Sequence, residues 1–285
     1  MFKTILASLT GTASDTTVLE TSVQAATKFS AHVDCLYVSG TLDADTLAMS
    51  QFVVSAEQIR ALEQRISEAD FKARSSFETI CEREHLARSA KPGPTASFAF
   101  VEAVGNDLRE TIRAARLHDL TIVARDSRNV ITEPDRAGKV MLSCGRPILV
   151  PPRKSAKTFG EHVVIAWKET PESARAVGFA TPVLAAAKKV TLVAVSEGED
   201  DLSKVIAPAQ ALAQALQWHG INGDAKALPF SLKPAAETIL DEAYRLDADL
   251  LVMGGYGHSR LREFAFGGVT RDMLSECEIP VFMSH

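Results

Sequence analysis

The amino-acid sequence predicts an α/β fold of two tandem doubly wound domains, each with helices on both faces of a parallel sheet. Short apolar runs at residues 163–166 and 250–253 are typical of strands buried on both faces of such a sheet. Helical stretches separate these runs, and that alternation favours βαβ units with right-handed crossovers. The pattern occurs twice along the chain, which two fused copies of one domain explain most simply.

Each copy begins with a strand, a helix and a second strand. In the first copy the sequence predicts these elements at residues 3–9, 17–29 and 33–38. In the second copy it predicts them at residues 162–167, 171–188 and 190–195. Thr170 followed by Pro171 is typical of the first turn of a helix, which supports the start of the second of these helices.

The ends of the two copies match more closely, because residues 119–123 parallel 249–253 and residues 144–150 parallel 277–283. A polar linker with two prolines follows the first copy. We therefore predict domains at residues 1–152 and 153–285.

The first copy is longer than the second because it contains an additional stretch at residues 41–94. Apolar residues recur at helical spacing in its later part, which predicts one long helix over residues 55–86. The segment from Lys91 to Pro94 contains two prolines and a glycine, and we expect it to end that helix.

Composition excludes several classes of protein. The formal net charge of −5 gives no broad basic surface for nucleic acid. No stretch approaches the roughly 18 apolar residues that span a bilayer, and the N-terminal apolar run is too short for a signal peptide. These features predict a cytoplasmic protein without membrane or nucleic-acid partners.

Four cysteines are present, and none forms a CxxC pair or lies at ligand spacing from a histidine. A zinc site and a disulfide framework are therefore not expected. We predict free thiols that are buried or half-buried, and no metal site.

A glycine-rich segment follows the predicted strand at residues 250–253. Glycines leave main-chain amides accessible, and successive amides can surround an anion. Gly267 and Gly268 precede a predicted helix, whose amino end favours phosphate. Arg260 could add charge-assisted hydrogen bonds, and His258 could donate another or simply face solvent. The spacing alone supports a phosphate site and a plain turn equally well.

Gly254, Gly257 and Gly267 form a Gly-x2-Gly-x9-Gly pattern that resembles the nucleotide-binding signature of universal stress proteins. The resemblance extends over both halves of the chain. It implies a five-stranded parallel sheet of order 3-2-1-4-5 in each domain. It also implies that ATP or a related nucleotide binds in the second domain, with or without Mg²⁺.

In ATP-binding members, adenine and ribose lie near the end of the first strand, and the phosphates lie in the glycine loop. The resemblance implies most of the nucleotide-binding positions, and the possible hydrogen bonds of His258 and Arg260 to phosphate add those two residues. The full set is Ala166, Trp167, Lys168, Val195, Met253, Gly254, Gly257, His258, Arg260, Gly267, Gly268, Val269 and Thr270.

Two positions depart from the family pattern. The family's Asp at the end of the first strand aligns with Lys168, and an ammonium group cannot accept a hydrogen bond from ribose. The Ser or Thr after the last glycine is Gly268, although Thr270 retains a hydroxyl nearby. A site that binds no nucleotide, or a different one, is therefore the alternative.

Two tryptophans are present. Trp167, at the mouth of the predicted site, could stack on a base or pack in the core. Trp218 is expected to pack at the end of its helix.

The first copy has lost the signature. Thr10 stands where the family has an Asp at the end of the first strand, and the first two glycines of the signature are missing after residue 123. We predict no nucleotide there. Arg125, Arg128 and Arg136 could form an anion patch, but solvated loop charges are the favoured interpretation.

Together these observations predict a regulatory, stress-response protein without catalytic residues. A slow nucleotide hydrolase and an interaction module that binds no nucleotide are the alternatives. The resemblance also implies internal pairing of the two domains through their last strands, residues 147–150 and 280–284, which would cover open sheet edges. A homodimer of whole chains is a further expectation.

Overall fold

The structure is a computed structural model. It describes residues 1–40, 55–91, 93–125, 136–196, 198, 202–255, 270, 273 and 277–285. The chain divides into two compact units. The first comprises Phe2–Ala124, and the second comprises Arg125–His285 together with Met1.

The first unit contains parallel strands in the order β3-β2-β1-β4. The strands are β1 (Thr4–Leu9), β2 (His32–Ser39), β3 (Ser97–Val104) and β4 (Leu120–Val123). The helices are α1 (Asp15–Phe29), α2 (Ala56–Arg83) and α3 (Asp107–Ala115). The order agrees with the first four strands of the predicted 3-2-1-4-5 arrangement.

The second unit contains strands in the order β5-β10-β9-β6-β7-β8. The strands are β5 (Ile148–Val150), β6 (His162–Ala166), β7 (Lys189–Val195), β8 (Gly223–Leu228), β9 (Leu250–Gly254) and β10 (Val281–Ser284). The helices are α4 (Arg136–Cys144), α5 (Pro171–Ala185), α6 (Leu202–Gln217) and α7 (Ala235–Arg245). Strands β6 to β10 are parallel and confirm the order predicted for the second copy.

Strand β5, the last strand of the first copy, pairs antiparallel with β10, so that Val150 lies opposite Val281 and Ile148 opposite Met283. The expected pairing of the two last strands is therefore present. Because it joins β5 to the second copy, the compact unit begins at Arg125, well before the predicted boundary. The repeat boundary at residue 152 stays a prediction.

An aspartate before the fourth strand of each copy fixes the start of the first strand of that copy. Asp119 Oδ2 accepts a hydrogen bond from the main-chain N–H of Lys3 at 2.7 Å. Asp249 Oδ1 accepts one from the main-chain N–H of Glu161 at 2.8 Å. The same device at matching positions supports the interpretation of a repeat.

The long helix predicted over residues 55–86 is confirmed as α2, which ends slightly earlier, at Arg83. Ser55 caps it, because its Oγ accepts the Gln58 N–H while the Gln58 side chain accepts the Ser55 N–H. This reciprocal arrangement satisfies two N–H groups that a helix start leaves unpaired. Ala73 and Phe77 are buried along the inner face of the helix.

The expectation that Trp218 packs at its helix end is wrong, since 92% of the residue is exposed. Gly220 turns the chain with a φ of 72°, and the Ile221 N–H donates to the Leu216 carbonyl. Leu216 and Ile221 are the buried apolar residues at this end, so the indole is left in solvent.

All four cysteines are buried free thiols, as predicted. No helix in the described part of the chain is both long and apolar enough to cross a bilayer. Within the same residues, no group of three or more His, Cys, Asp or Glu side chains is arranged to hold a metal ion.

Asp34 on β2 lies between two histidines. Its Oδ1 is 3.0 Å from His32 Nε2, and its Oδ2 is 3.0 Å from His118 Nε2. The other ring nitrogen of His118 faces the Ala114 carbonyl at 2.8 Å, so both nitrogens meet acceptors. Burial is the largest single effect on His118 and lowers its pKa, but the hydrogen bonds to Asp34 and Ala114 together with the nearby carboxylate charges outweigh it, so that the pKa of His118 is raised. The hydrogen bond between His118 and Asp34 also lowers the pKa of Asp34.

We predict that the pair stabilises the fold most strongly near pH 5. Because the pKa of His118 is raised in the folded state, its stabilising contribution is fully present below about pH 6.5 and is lost as the pH rises through the folded-state pKa. A lowered Asp34 pKa gives stability that is lost as pH falls below about 4. The substitution His118→Gln should therefore cost about 1–2 kcal/mol at pH 5 in urea unfolding and less at pH 8.

His162 is the matched control, because its Nε2 faces the Thr191 hydroxyl instead of a carboxylate. Burial lowers the pKa of His162, so its contribution falls as the pH falls. The gap between wild type and His162→Gln should thus shrink toward pH 5. A loss at His118→Gln that stays equal at both pH values would contradict the charged pair.

Candidate functional site

The first, second and fourth strands of the second copy end at one edge of the sheet, called here the carboxyl edge. Ala166 at the end of β6 lies opposite Met253 of β9 and Val193 of β7. Trp167 and Lys168 follow directly. Ligands of open α/β sheets bind at this edge, because the strand ends and the following helix starts converge there.

Gly254 is held against the amino end of α5. A Cβ at this position would lie 2.5 Å from the main-chain nitrogen of Ser173 and 2.8 Å from the carbonyl carbon of Glu172. Both are backbone atoms, which cannot move aside cheaply. Close packing of β9 on α5 therefore requires glycine here, in addition to any role in exposing amides.

The first turn of α5 is capped from within. Thr170 Oγ1 accepts the Ser173 N–H at 3.3 Å, and its hydroxyl donates to Ser173 Oγ at 3.2 Å. Glu172 is buried, and Arg175 Nη2 lies 3.4 Å from its Oε1. An acidic residue in this turn suits the helix dipole. The sequence predicted this helix start but not its contact with Gly254.

The chain that leaves β9 is held on its other side. The Gly255 N–H donates to the Ser284 carbonyl at 2.9 Å, and its carbonyl lies 3.1 Å from His285 Nδ1. A Cβ at Gly255 would lie 2.5 Å from the terminal methyl of Met141 on α4. Sequence reasoning missed Met141 and His285, because only the β5–β10 pairing brings α4 to this site.

Trp167 continues the ladder between β6 and β7, since its main-chain N–H donates to the Val193 carbonyl at 2.8 Å. The residue is half-buried. Its indole Nε1 is buried and has no hydrogen-bond acceptor among the described residues. Lys168 next to it is exposed at the rim. This end of β6 thus offers hydrogen-bond donors where the family pattern has an acceptor.

The structure brings six of the predicted site residues to the carboxyl edge: Ala166, Trp167, Lys168, Val195, Met253 and Gly254. Thr270 is buried and helical. The remaining predictions fall outside the described residues: Gly257, His258, Arg260, Gly267, Gly268 and Val269.

At the corresponding edge of the first unit, a side chain of the protein itself accepts hydrogen bonds from the main-chain amides that follow β1. The Asp15 carboxylate accepts the main-chain N–H groups of Thr10 and Gly11, each at 2.8 Å. Gly11 has a φ of 69°, and a Cβ there would lie 2.4 Å from the Ala69 carbonyl oxygen of α2. The helix backbone therefore lies directly on the end of β1.

Helix α2 also covers the end of β2. The Ser39 hydroxyl donates to Asp70 Oδ1 at 3.0 Å, and a Cβ at Gly40 would be 3.9 Å from Ile66. Burial, with a further contribution from Asp70, raises the pKa of Tyr37 in the same strand. One stretch of α2 thus covers the ends of both β1 and β2 at the carboxyl edge of the first unit.

The expectation of a solvated loop charge is wrong for Arg125. All three of its guanidinium nitrogens are buried. The residue lies two positions after the end of β4, and it interacts electrostatically with Cys277 and Tyr244 of its own unit. Arg136 begins α4 with one buried nitrogen, and Arg128 lies outside the described residues.

The doubly wound strand order, with a glycine at the carboxyl edge packed against a helix start, defines the class of α/β proteins built on open parallel sheets. The model of the universal stress protein family matches residues 160–285. The second half of the chain is therefore similar to this family.

A curated relative is the stress response protein NhaX of Bacillus subtilis (strain 168), with 32% identity over 89 residues. That match covers 30% of this chain, and the chain spans about half, 48%, of the relative. Its activity and partners are therefore not transferred to this chain.

Two solved structures share the fold over nearly the whole chain. A universal stress protein from Archaeoglobus fulgidus DSM 4304 has a TM-score of 0.69 at 14% identity, covering 99% of this chain and 95% of that one. A Pseudomonas aeruginosa UCBPP-PA14 protein described as a universal stress protein has a TM-score of 0.57 at 16% identity, with coverages of 99% and 93%. At these identities the likeness concerns the fold alone.

We predict that Gly254→Ala destabilises the protein by about 2 kcal/mol or more, because the new methyl group overlaps backbone atoms of α5. The matched control is Gly178→Ala in the same helix, where a Cβ meets nothing within 4 Å. It should stabilise by about 0.5–1 kcal/mol, since alanine favours helix. Chemical unfolding of both variants measures this. Equal effects at the two positions would contradict the close packing of β9 on α5.

Proposed function

We propose that the protein is a cytoplasmic regulatory protein of the stress response whose second copy binds ATP or a related nucleotide. The observation that carries the proposal is the Gly-x2-Gly-x9-Gly pattern beginning at Gly254, at the carboxyl edge and beside Trp167. The match of residues 160–285 to the universal stress protein family supports a nucleotide over other anions. The phosphates would lie on the amides of the glycine segment, with or without Mg²⁺.

The hydrogen-bond donors of Trp167 and Lys168 determine which part of a nucleotide the proposed site can contact. Trp167 Nε1 lacks an acceptor within the described residues, and Lys168 carries a positive charge at the rim. Neither group can accept a hydrogen bond from a ribose hydroxyl. We propose that Lys168 contacts a phosphate instead, and that the indole donates to the nucleotide or packs against its base.

Binding is proposed for the second copy only. In the first copy the Ala69 carbonyl of α2 lies on Gly11, and Asp15 occupies the amides at the end of β1. A nucleotide there would have to displace both. The packing of α2 therefore supports a single site in each chain.

The nucleotide is proposed as a conformational ligand, which acts only through different affinities for two states of the protein. Slow hydrolysis and a ligand-free interaction module remain the competing functions. The antiparallel β5–β10 pair supports internal pairing of the two copies. Homodimers of the whole chain are part of the same proposal.

Trp218→Phe gives a direct test, because it removes the exposed indole and leaves Trp167 as the single tryptophan. We predict a saturable fluorescence change with ATP, ADP or AMP. The melting temperature should also rise, as about 2.7 kcal/mol of stabilisation is expected at a hundredfold excess over Kd. Lys168→Ala should weaken the binding of ATP more than the binding of AMP, since it removes a phosphate contact.

Absence of both signals with every nucleotide at millimolar concentration would refute the proposed site and favour the interaction module. If wild type releases inorganic phosphate from ATP steadily and the Trp218→Phe variant does the same, the result would favour the hydrolase.

A further inference from the structure

Arg125 is a cation that pairs with no carboxylate of the described residues. It lies two residues after the end of β4, and its Nε, Nη1 and Nη2 atoms are all buried. None of the three has a hydrogen-bond partner in the part of the chain that the structure describes. A guanidinium group carries five N–H donors and stays protonated at neutral pH. Burying it without an acceptor or counter-charge costs several kcal/mol.

Cys277 and Tyr244 are polar side chains that act on Arg125, but neither neutralises its charge. Cys277 is buried, its thiol donates to the Ile279 carbonyl at 3.3 Å, and burial raises the pKa of the Cys277 thiol. The Tyr244 hydroxyl accepts the Glu278 N–H at 2.8 Å, and burial raises the pKa of Tyr244 to about 12. Both groups are uncharged at neutral pH, so neither supplies a negative charge.

A second cation makes the surroundings more positive. Arg153, in the segment between β5 and β6, lies close enough to act on Arg125 through its charge. Burial and this neighbouring charge both lower the pKa of Arg125. A buried guanidinium group that pairs with no carboxylate of the described residues is stabilised by an anion from outside the chain.

We propose that Arg125 binds an inorganic oxyanion of the phosphate or sulfate type. A planar guanidinium can donate two parallel hydrogen bonds to such an anion. This second site is distinct from the glycine turn at Gly254. Gly254 pairs with Ser284 at the carboxyl end of β10, whereas Cys277 precedes the amino end of that strand.

The bound anion would tie Arg125 to the segment that leads into β10, within the second compact unit. Arg125 is also the first residue of the second compact unit. The protein's stability should therefore depend on oxyanion concentration even without any nucleotide.

The test compares wild type with Arg125→Met, which keeps the length and apolar stem of the side chain but removes the charge. Thermal unfolding is followed in inorganic phosphate and in sulfate, with potassium chloride at equal ionic strength as the baseline. We expect the wild-type melting temperature to rise by about 3 °C at a tenfold excess of anion over Kd. Arg125→Met should match or exceed wild type without the anion, because it removes an unpaired buried charge, and it should not respond to phosphate.

Arg113→Met is the matched control, since the Arg113 side chain is 80% exposed. It should keep the full phosphate response. Arg125→Lys retains the charge without the paired donors and should respond more weakly, which keeps the test available if the methionine variant misfolds.

Two outcomes would overturn the proposal. If Arg125→Met lowers the melting temperature and phosphate leaves wild type unchanged, the chain itself supplies the partner of Arg125. If phosphate stabilises Arg125→Met as much as wild type, the anion binds elsewhere.

Discussion

The close contact between the end of β9 and the amino end of α5 is the constraint on which the candidate site depends. Because backbone atoms of Glu172 and Ser173 leave no room for a Cβ, position 254 must be glycine. The contact sets where the chain leaves the sheet and places that point beside Trp167. A glycine that looks like a ligand-binding residue in the sequence is thus first a packing residue.

The two copies share a fold but use its carboxyl edge differently. In both, an aspartate before the fourth strand fixes the first strand, at Asp119 and at Asp249. In the first copy, Asp15 and the backbone of α2 occupy the amides and the space around Gly11. The strand order is thus shared by the two halves, while in the first half the long helix α2 packs on the end of β1.

Most of the fold could be predicted, because buried parallel strands and capped helices leave local signals, such as the pairing of Ser55 with Gln58 at the start of α2. The β5–β10 pairing followed only from the family resemblance, and its consequence, a compact unit that begins at Arg125, depends on contacts distant in sequence. The burial of Arg125 was mispredicted for the same reason, whereas the exposure of Trp218 follows from the local turn at Gly220, where Leu216 and Ile221 are the buried residues. At the site, the sequence identified the residues at the strand ends, but the packing of α5 on Gly254 needed coordinates.

The most direct measurement of the central claim is the nitrogen–proton NMR spectrum of the two indole groups during an ATP titration. The account predicts that the Trp167 indole signal shifts and saturates, while the signal of the exposed Trp218 stays in place. The Gly11 amide, covered by α2, should also stay unchanged. An unchanged Trp167 signal at millimolar ATP, or a shift confined to Gly11, would contradict nucleotide binding at the carboxyl edge of the second copy.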